Sequence, residues 1–338
     1  MSKLKANITL KAALLNHSND YGFEPSYPIS SYGTKDLPNL SVIIPYYETG
    51  EIIKSTLQHL YNSLSIVMKI QKGWRYEVLL IDDGSISKKA RSFINAEKFS
   101  NLKLLTNTKN AGITNTRNRG LKESNNSLCL FMDSDILIDN QLILNNLKTH
   151  AFNKKLNKKS CITISFFRFT NKKDPICKDK IIYPSRIMIN DWRLYCLYQA
   201  TWIGCEEDKK FIGQEIRIVQ DTNYFKNWNR MYKAWTLSNM VLGGFFVVDR
   251  KDAVNVGGFD KSFKGYGFTE TSLITKLIAI KDSCVIPIVI GGGVHIEDEK
   301  VNLSRKEKDK IFRQKHNYFF KTYLITPISE AVKKKLDE

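Results

Sequence analysis

Short runs of β-branched and aliphatic residues alternate with helical periodicity through the first half of this chain, and three of the runs end in unusual polar clusters. Leu40–Pro45, Tyr76–Ile81, Leu102–Leu105 and Leu128–Met132 read as strands. Between them, Glu51–Met68 carries Ile53, Leu57, Leu60, Tyr61, Leu64 and Met68 at helical spacing, and Lys88–Glu97, Ile113–Lys122 and Asn140–Phe152 read as further helices. Strands that are apolar throughout, rather than alternating, are buried on both faces. Strand–helix repetition of that kind predicts a mostly parallel sheet with helices on each side. Ligands of such sheets sit outside the carboxyl ends of the strands. Here those ends carry Tyr46-Tyr47-Glu48, Asp82-Asp83-Gly84-Ser85 and Asp133-Ser134-Asp135.

The 338 residues suffice for one large or two ordinary domains, and 42% hydrophobic against 25% charged residues is a globular composition. No apolar run approaches the roughly 18 residues of a spanning helix. Met1–Lys11 lacks the apolar stretch and cleavage site of a secretory signal, so a cytoplasmic protein is expected. The cysteines (129, 161, 177, 196, 205 and 284) are dispersed without a Cys-x-x-Cys pair, which reads as reduced thiols rather than a zinc site or disulfide scaffold. The net charge of +18 favours contact with polyanions, phosphorylated substrates or an anionic membrane. No helix-turn-helix, zinc-finger or aromatic RNP pattern accompanies it, so nucleic acid is not expected as a partner.

Two acids flanking a small residue at a buried strand end place two carboxylates on one rim. Such oxygens suit Mg²⁺ or Mn²⁺, ions that share their shell between protein carboxylates and substrate phosphates. Asp133-Ser134-Asp135 follows Phe131-Met132 in that position. At the second strand end, Asp82 and Asp83 can accept hydrogen bonds from a base edge or from ribose hydroxyls. Gly84 permits a tight turn there, and Ser85 is placed to cap the next helix. Two rival functions stay in view, a nucleotidyltransferase of related fold and a non-catalytic nucleotide- or polyanion-binding protein. The first lacks a Gly-rich phosphate loop after the first strand.

Taken together, Ser41-Val42-Ile43-Ile44-Pro45-Tyr46-Tyr47, Ile81-Asp82-Asp83-Gly84-Ser85, Asn110-Ala111-Gly112 with Thr116-Arg117-Asn118-Arg119-Gly120-Leu121, and Phe131-Met132-Asp133-Ser134-Asp135 resemble the successive motifs of family 2 glycosyltransferases. Downstream, Gly243-Gly244-Phe245-Phe246-Val247-Val248-Asp249-Arg250, Val256-Gly257-Gly258-Phe259-Asp260 and Gly265-Tyr266-Gly267-Phe268-Thr269-Glu270-Thr271 resemble the acceptor-side segment of galactosyltransferase-like and chondroitin-polymerase-like enzymes. The resemblance implies a GT-A fold (a Rossmann-like, mostly parallel sheet covered by helices on both faces) over residues 39–300, with a nucleotide-sugar half at 39–137 and an acceptor half at 138–300. Residues 1–38 would form an N-terminal extension and 301–338 a basic helical tail.

The same resemblance implies roles. Pro45, Tyr47, Glu48, Asp82, Asp83, Arg117 and Asp133 would bind the donor, a UDP-sugar. Asp135 would ligate Mn²⁺ or Mg²⁺, with Asp133 and the late histidine His295 completing the metal site. Glu270 would be the catalytic base, and Trp235, Gly244, Tyr266 and Thr269 would face the acceptor, a saccharide or lipid-linked saccharide. Similar enzymes commonly read Gly-Trp-Gly-x-Glu-Asp where this chain has Tyr266, Thr269 and Glu270, so the acceptor is where it departs from the pattern. Arg305–Tyr323, with an aromatic stripe through Phe312, Phe319 and Tyr323, could rest on an anionic membrane at the inner face of the cell or pack on the domain.

Overall fold

In the computed structural model, the described residues are 7–33, 35–93, 98–165, 167–171, 196–199, 206–207, 210–211, 216–219, 236–239, 241, 243–265, 267–288, 290–297 and 305–333. The four expected strands form as β1 (Leu40–Tyr46), β2 (Tyr76–Asp82), β3 (Leu102–Thr106) and β4 (Leu128–Met132). β1 pairs in parallel with β2 and β4, and β2 in parallel with β3. After the short β5 (Ile136–Ile138) come β6 (Cys161–Ile164) and β7 (Phe167–Asn171); the run Ile162–Phe167, which reads as one strand in the sequence, is divided between them. Strands β8 (Cys196–Gln199) with β11 (Ile216–Val219), and β9 (Glu206–Glu207) with β10 (Lys210–Phe211), make two small antiparallel ladders. β12 (Phe245–Asp249), β13 (Cys284–Pro287) and β14 (Gly293–Glu297) complete the strands.

The main sheet has seven strands in the order β13-β6-β12-β4-β1-β2-β3. It is parallel except for β12, which runs antiparallel between β4 and β6. A second sheet, β5-β14-β7, closes over the carboxyl end of β4. β1, β4 and β6 are buried at every residue, as continuous apolar runs in a doubly covered sheet must be. One face packs under helix Ile52–Ile70 and helix Leu142–Asn157, and the other under helix Ile113–Glu123 and helix Thr269–Lys281. The aromatic-rich stretches at 191–195, 200 and 221–235 lie outside the described residues.

Both chain ends belong to this second layer. Helix Leu10–Asn16 has no long-range periodicity to announce it, yet Leu10 and Leu14 are fully buried against helix Thr269–Lys281. Leu10 N–H and Lys11 N–H donate to Thr326 and Leu324 carbonyls at 3.0 and 2.8 Å, tying the two termini together. In the basic tail, helix Arg305–Tyr318 runs into a wider turn, Phe319–Tyr323. Phe319 and Tyr323 of its aromatic stripe are buried in the core, and Tyr323 donates its hydroxyl to the Ser272 carbonyl at 2.9 Å. Phe312 is the exposed member of the stripe, at 38%. Ser304-x-x-Glu307 has the pattern of a capping box for this helix, and Ser304 lies outside the described residues. No described helix is long and apolar enough to cross a membrane.

Leu14→Ala tests whether the N-terminal helix is part of the domain's core. Removing a fully buried leucine costs about 2–5 kcal/mol. The urea midpoint should fall accordingly; a loss below about 1 kcal/mol would show that the segment is dispensable.

Candidate active site

The polar strand ends meet because of the register of β12 and β14. β12 pairs Phe245 with Met132, and Asp133 N–H donates to the Gly244 carbonyl at 2.9 Å. Gly243 and Gly244 therefore lie beside the first aspartate of the Asp-Ser-Asp turn. β14 pairs His295 with Ile136, and Ile296 N–H donates to the Asp135 carbonyl at 2.9 Å. This brings His295 Nε2 to 3.2 Å from Asp135 Oδ1. Ser134, between the two acids, is held from the β1 side. Its hydroxyl meets Thr49 Oγ1 at 2.6 Å and its carbonyl accepts from Thr56 Oγ1 at 2.9 Å, which locks the turn to the helix after β1.

Between the two halves lies Arg117, on helix Ile113–Glu123 and almost wholly buried. Its Nη2 donates to Asp133 Oδ1 and to the Gly243 carbonyl, both at 2.8 Å. Its Nη1 stands 3.5 Å from Glu270 Oε2. A Cβ at Gly243 would come within 3.0 Å of the guanidinium and of Glu270, so this approach needs glycine there. Glu270, in the first turn of helix Thr269–Lys281, is held above the usual carboxylate range by burial, and Arg117 opposes that shift. Burial also raises Asp133, with Arg117 drawing it down and Asp135 pushing it further up.

The β2 end is built differently for its two acids. Asp83 Oδ1 accepts from Asn107 Nδ2 at 2.6 Å and Ala111 N–H at 2.9 Å, while Oδ2 accepts from Gly112 N–H at 2.9 Å. The carboxylate thus shapes the loop before helix Ile113–Glu123 and still has acceptor capacity on Oδ2, since each oxygen offers two lone pairs. Asp82 turns away from the pocket, accepting Ser85 N–H at 2.9 Å with Arg91 Nε at 3.6 Å. Glu48, with φ +53°, ties down the loop that leads into helix Lys88–Ser92 by accepting the Ile86 and Ser87 amides at 2.6 and 2.9 Å. The helix cap expected at Ser85 falls instead to Ser87, whose hydroxyl accepts Ala90 N–H at 3.2 Å. Ser85 Oγ is occupied by Glu48 N–H at 3.1 Å. Gly84 is required as expected. Its φ is +74°, and a Cβ there would run into the Lys109–Asn110 backbone.

These groups line one cavity of about 840 Å³, open to solvent. Pro45, Tyr47 and Asp83 stand on its β1–β2 side; Arg117, Asp133, Asp135 and His295 also line it. Gly244, Thr269 and Glu270 line it together with Gly265, Gly267 and Phe312. Asp82 and Glu48 are not among the lining residues, and Trp235 and Tyr266 lie outside the described residues.

Residues 41–174 match the family model of glycosyl transferase family 2. Among solved structures, a mannosyltransferase, PcManGT from Pyrobaculum calidifontis in complex with GDP-Man and Mn²⁺, superposes with a TM-score of 0.50 at 14% identity, over 82% of this chain and 64% of that one. The fold is GT-A. S. aureus TarS 1-349, free and in complex with UDP, is more distant, with TM-scores of 0.46 and 0.48 at 16% and 15% identity, each over 84% of this chain and 72% of that one. The chain spans just under two thirds of the length of the mannosyltransferase structure. No curated protein sequence matches it significantly.

In this GT-A pocket the side chains fit a divalent cation. Asp135 Oδ1 is shielded from solvent and accepts no hydrogen bond, although His295 Nε2 is only 3.2 Å away. About 3 Å is the separation of neighbouring ligands on an octahedral ion with bonds near 2.1 Å. Asp133, Asp135 and Glu270 together carry more negative charge than Arg117 offsets. Among the described residues no three such side chains converge tightly enough to enclose an ion by themselves. That suits Mg²⁺ or Mn²⁺, which take one or two protein carboxylates and complete their shell with water and phosphate. The motif reading located Arg117 but not its bond to Glu270; it named Gly243 and Phe312 without giving them a place at the site, and it passed over Thr49. Long-range pairing alone brings these residues to the pocket.

Arg117→Met keeps the stem volume and removes the charge shared by Asp133 and Glu270. Breaking such a buried pair on one side costs about 3–5 kcal/mol at neutral pH. Both carboxyls already titrate above their ordinary range, and without Arg117 they rise further. An acid with a raised folded-state pKa destabilises the fold above that pKa, and protonation relieves the penalty as pH falls. The variant's deficit in urea denaturation should therefore shrink between pH 8 and pH 5; an unchanged deficit would contradict the pairing.

Proposed function

We propose that this protein is a metal-dependent glycosyltransferase that moves a hexose or N-acetylhexosamine from a UDP-sugar to a hydroxyl of a saccharide or lipid-linked acceptor, with inversion at the anomeric carbon. The observation that carries this reading is the convergence, in one open cavity, of the Asp135–His295 pair, the Arg117–Asp133 pair and Glu270. The described residues among them come from four separate elements, and each is held by its own backbone pairing.

The nucleotide fits the β1–β2 side. Tyr47 is 42% exposed there, an aromatic face available to a base, and Asp83 Oδ2 can accept from a base edge or ribose hydroxyl. Asp135, His295 and Asp133 would hold Mn²⁺ or Mg²⁺, which supplies charge neutralisation for the departing diphosphate. Arg117 lines the cavity between the donor side and Glu270, where it would help set the donor pocket while its Nη groups meet Asp133, the Gly243 carbonyl and Glu270. Glu270 faces the cavity from the opposite wall, where it accepts the proton of the acceptor hydroxyl as that oxygen attacks the sugar. Burial brings its pKa closer to working pH, which suits a general base, and Arg117 keeps enough of it ionised to act.

A nucleotide-release assay over UDP- and GDP-sugars with Mn²⁺ tests the reading. Turnover should require the metal, and Asp135→Ala and Glu270→Gln should each lower it by at least about 10²-fold, the scale of a lost general base. Full activity in either variant, or in the presence of chelator, would refute the assignment.

For the wild type, activity should rise with pH through an acid limb that lies above the ordinary glutamate range. A limb within that range would remove Glu270 as the base.

A further inference from the structure

Two hydroxyls meet where the β1–β2 side of the cavity joins the Asp-Ser-Asp turn. Thr49 and Ser134 both line the cavity, and their Oγ atoms stand 2.6 Å apart. Each is fixed by its neighbours. Glu48, just before Thr49, pins the loop after β1 through its amide on Ser85 Oγ at 3.1 Å and its carboxylate on the Ile86 and Ser87 amides. From the other side, the Ser134 carbonyl accepts from the fully buried Thr56 at 2.9 Å. Tyr47 lies two residues before Thr49, and Ser134 separates Asp133 from Asp135. The pair therefore joins the base side of the cavity to the carboxylates that would hold the ion.

From this arrangement we infer that Thr49 is a further binding residue for the sugar nucleotide, and that its hydroxyl donates to a phosphate oxygen of the nucleoside diphosphate. The inference rests on the glycosyltransferase reading and names a contact that the motifs do not contain.

Proton counting supports it. Two hydroxyls carry two protons, and only one of these can lie between the two oxygens. Neither hydroxyl has another partner among the described residues. Ser134 is 7% exposed and Thr49 is half-buried. Ser134, the more enclosed of the two, then donates to Thr49 Oγ1 and leaves the Thr49 proton for the cavity. A hydroxyl that already accepts a bond is polarised and donates the better for it. The charges around the cavity point to the acceptor. Arg117 is the only lysine or arginine among the described lining residues, and Asp133 and Glu270 already engage it. Phosphate recognition therefore falls to the ion and to neutral donors. A phosphate drawn to an ion on Asp135 comes to the turn that carries Ser134, beside Thr49. Its oxygens carry charge and no proton, so they can only accept, and a bond to a charged acceptor is stronger than one between neutral groups.

The test is calorimetric titration of UDP into the full chain at saturating Mn²⁺. Thr49→Val keeps the shape of the side chain and removes the hydroxyl. It should weaken UDP about tenfold, the scale of one hydrogen bond to a charged acceptor. Thr49→Ala should lose as much, and serves where valine disturbs the loop. Thr49→Ser should keep wild-type affinity. Ser134→Ala only frees the Thr49 hydroxyl from its partner, so it should lose less than Thr49→Val. The penalty of Thr49→Val should persist undiminished with 2′-deoxy-UDP and 3′-deoxy-UDP, because their phosphates are unchanged. Mn²⁺ alone, followed by electron paramagnetic resonance, should bind Thr49→Val as it binds the wild type. Unchanged UDP affinity in Thr49→Val and Thr49→Ala would overturn the contact. So would a penalty that vanishes with either deoxynucleotide, which assigns the hydroxyl to ribose, or a matching loss of Mn²⁺ affinity, which makes Thr49 a support of the turn alone. Wild-type protein that binds Mn²⁺ but no UDP would overturn the UDP-sugar reading along with the contact.

Discussion

The Arg117 guanidinium holds the pocket's two halves in register. It is nearly inaccessible to solvent and makes one short bond to Asp133, one to the Gly243 carbonyl and an ion pair with Glu270. A buried cation is costly to desolvate, and its partners must be well placed to repay that cost. Asp133, the Gly243 carbonyl and Glu270 meet its two Nη groups, while its buried Nε has no hydrogen-bond partner among the described residues. β4 delivers Asp133, the antiparallel insertion of β12 delivers a glycine pair whose lack of side chains admits the guanidinium, and helix Thr269–Lys281 delivers Glu270 on its first turn. The charge balance also explains why the site suits a cation. Three carboxylates face the cavity around Arg117 and His295, and the buried Asp135 oxygen still lacks a hydrogen-bond donor.

Much of the fold was legible because continuous apolar strands are physically unambiguous. A run such as Ser41–Pro45 cannot be half-exposed, so it must be interior to a covered sheet, and β1 through β4 appear where the pattern puts them. The strand-end rule then pointed to the residues that line the cavity at Asp83, Asp133 and Asp135. What periodicity could not show was anything decided by long-range pairing. Helix Leu10–Asn16 is too short for a persuasive pattern, and its burial depends on carbonyls more than 300 residues away. The tail offered two readings of one aromatic stripe, and only packing separates the residues that enter the core, Phe319 and Tyr323, from the one that faces the pocket, Phe312.

At the site, motif order identified the neighbourhood more securely than the duty of each residue. Asp82 is the last residue of β2 and Asp83 the first beyond it, and their carboxylates take different partners. One satisfies a turn, and the other organises the loop before helix Ile113–Glu123 while facing the cavity. Glu48 looked equally available beside Tyr47, but two backbone amides of the loop before the next helix claim its carboxylate. A sequence motif marks that a turn is built in a particular way. It does not say which side chain builds the turn and which is left to meet a ligand.

Thr269 shows how the same charge accounting bears on the acceptor side. It is buried at the start of the helix that carries Glu270, and its hydroxyl reaches back to the Gly265 carbonyl at 3.4 Å. A carboxylate here would place a further negative charge beside Glu270, a group already raised by burial and countered chiefly by Arg117. Either the base would hold its proton more tightly, or a second cation would be needed to release it. A neutral threonine avoids that conflict and leaves Arg117 as the main group that opposes the raised titration of Glu270.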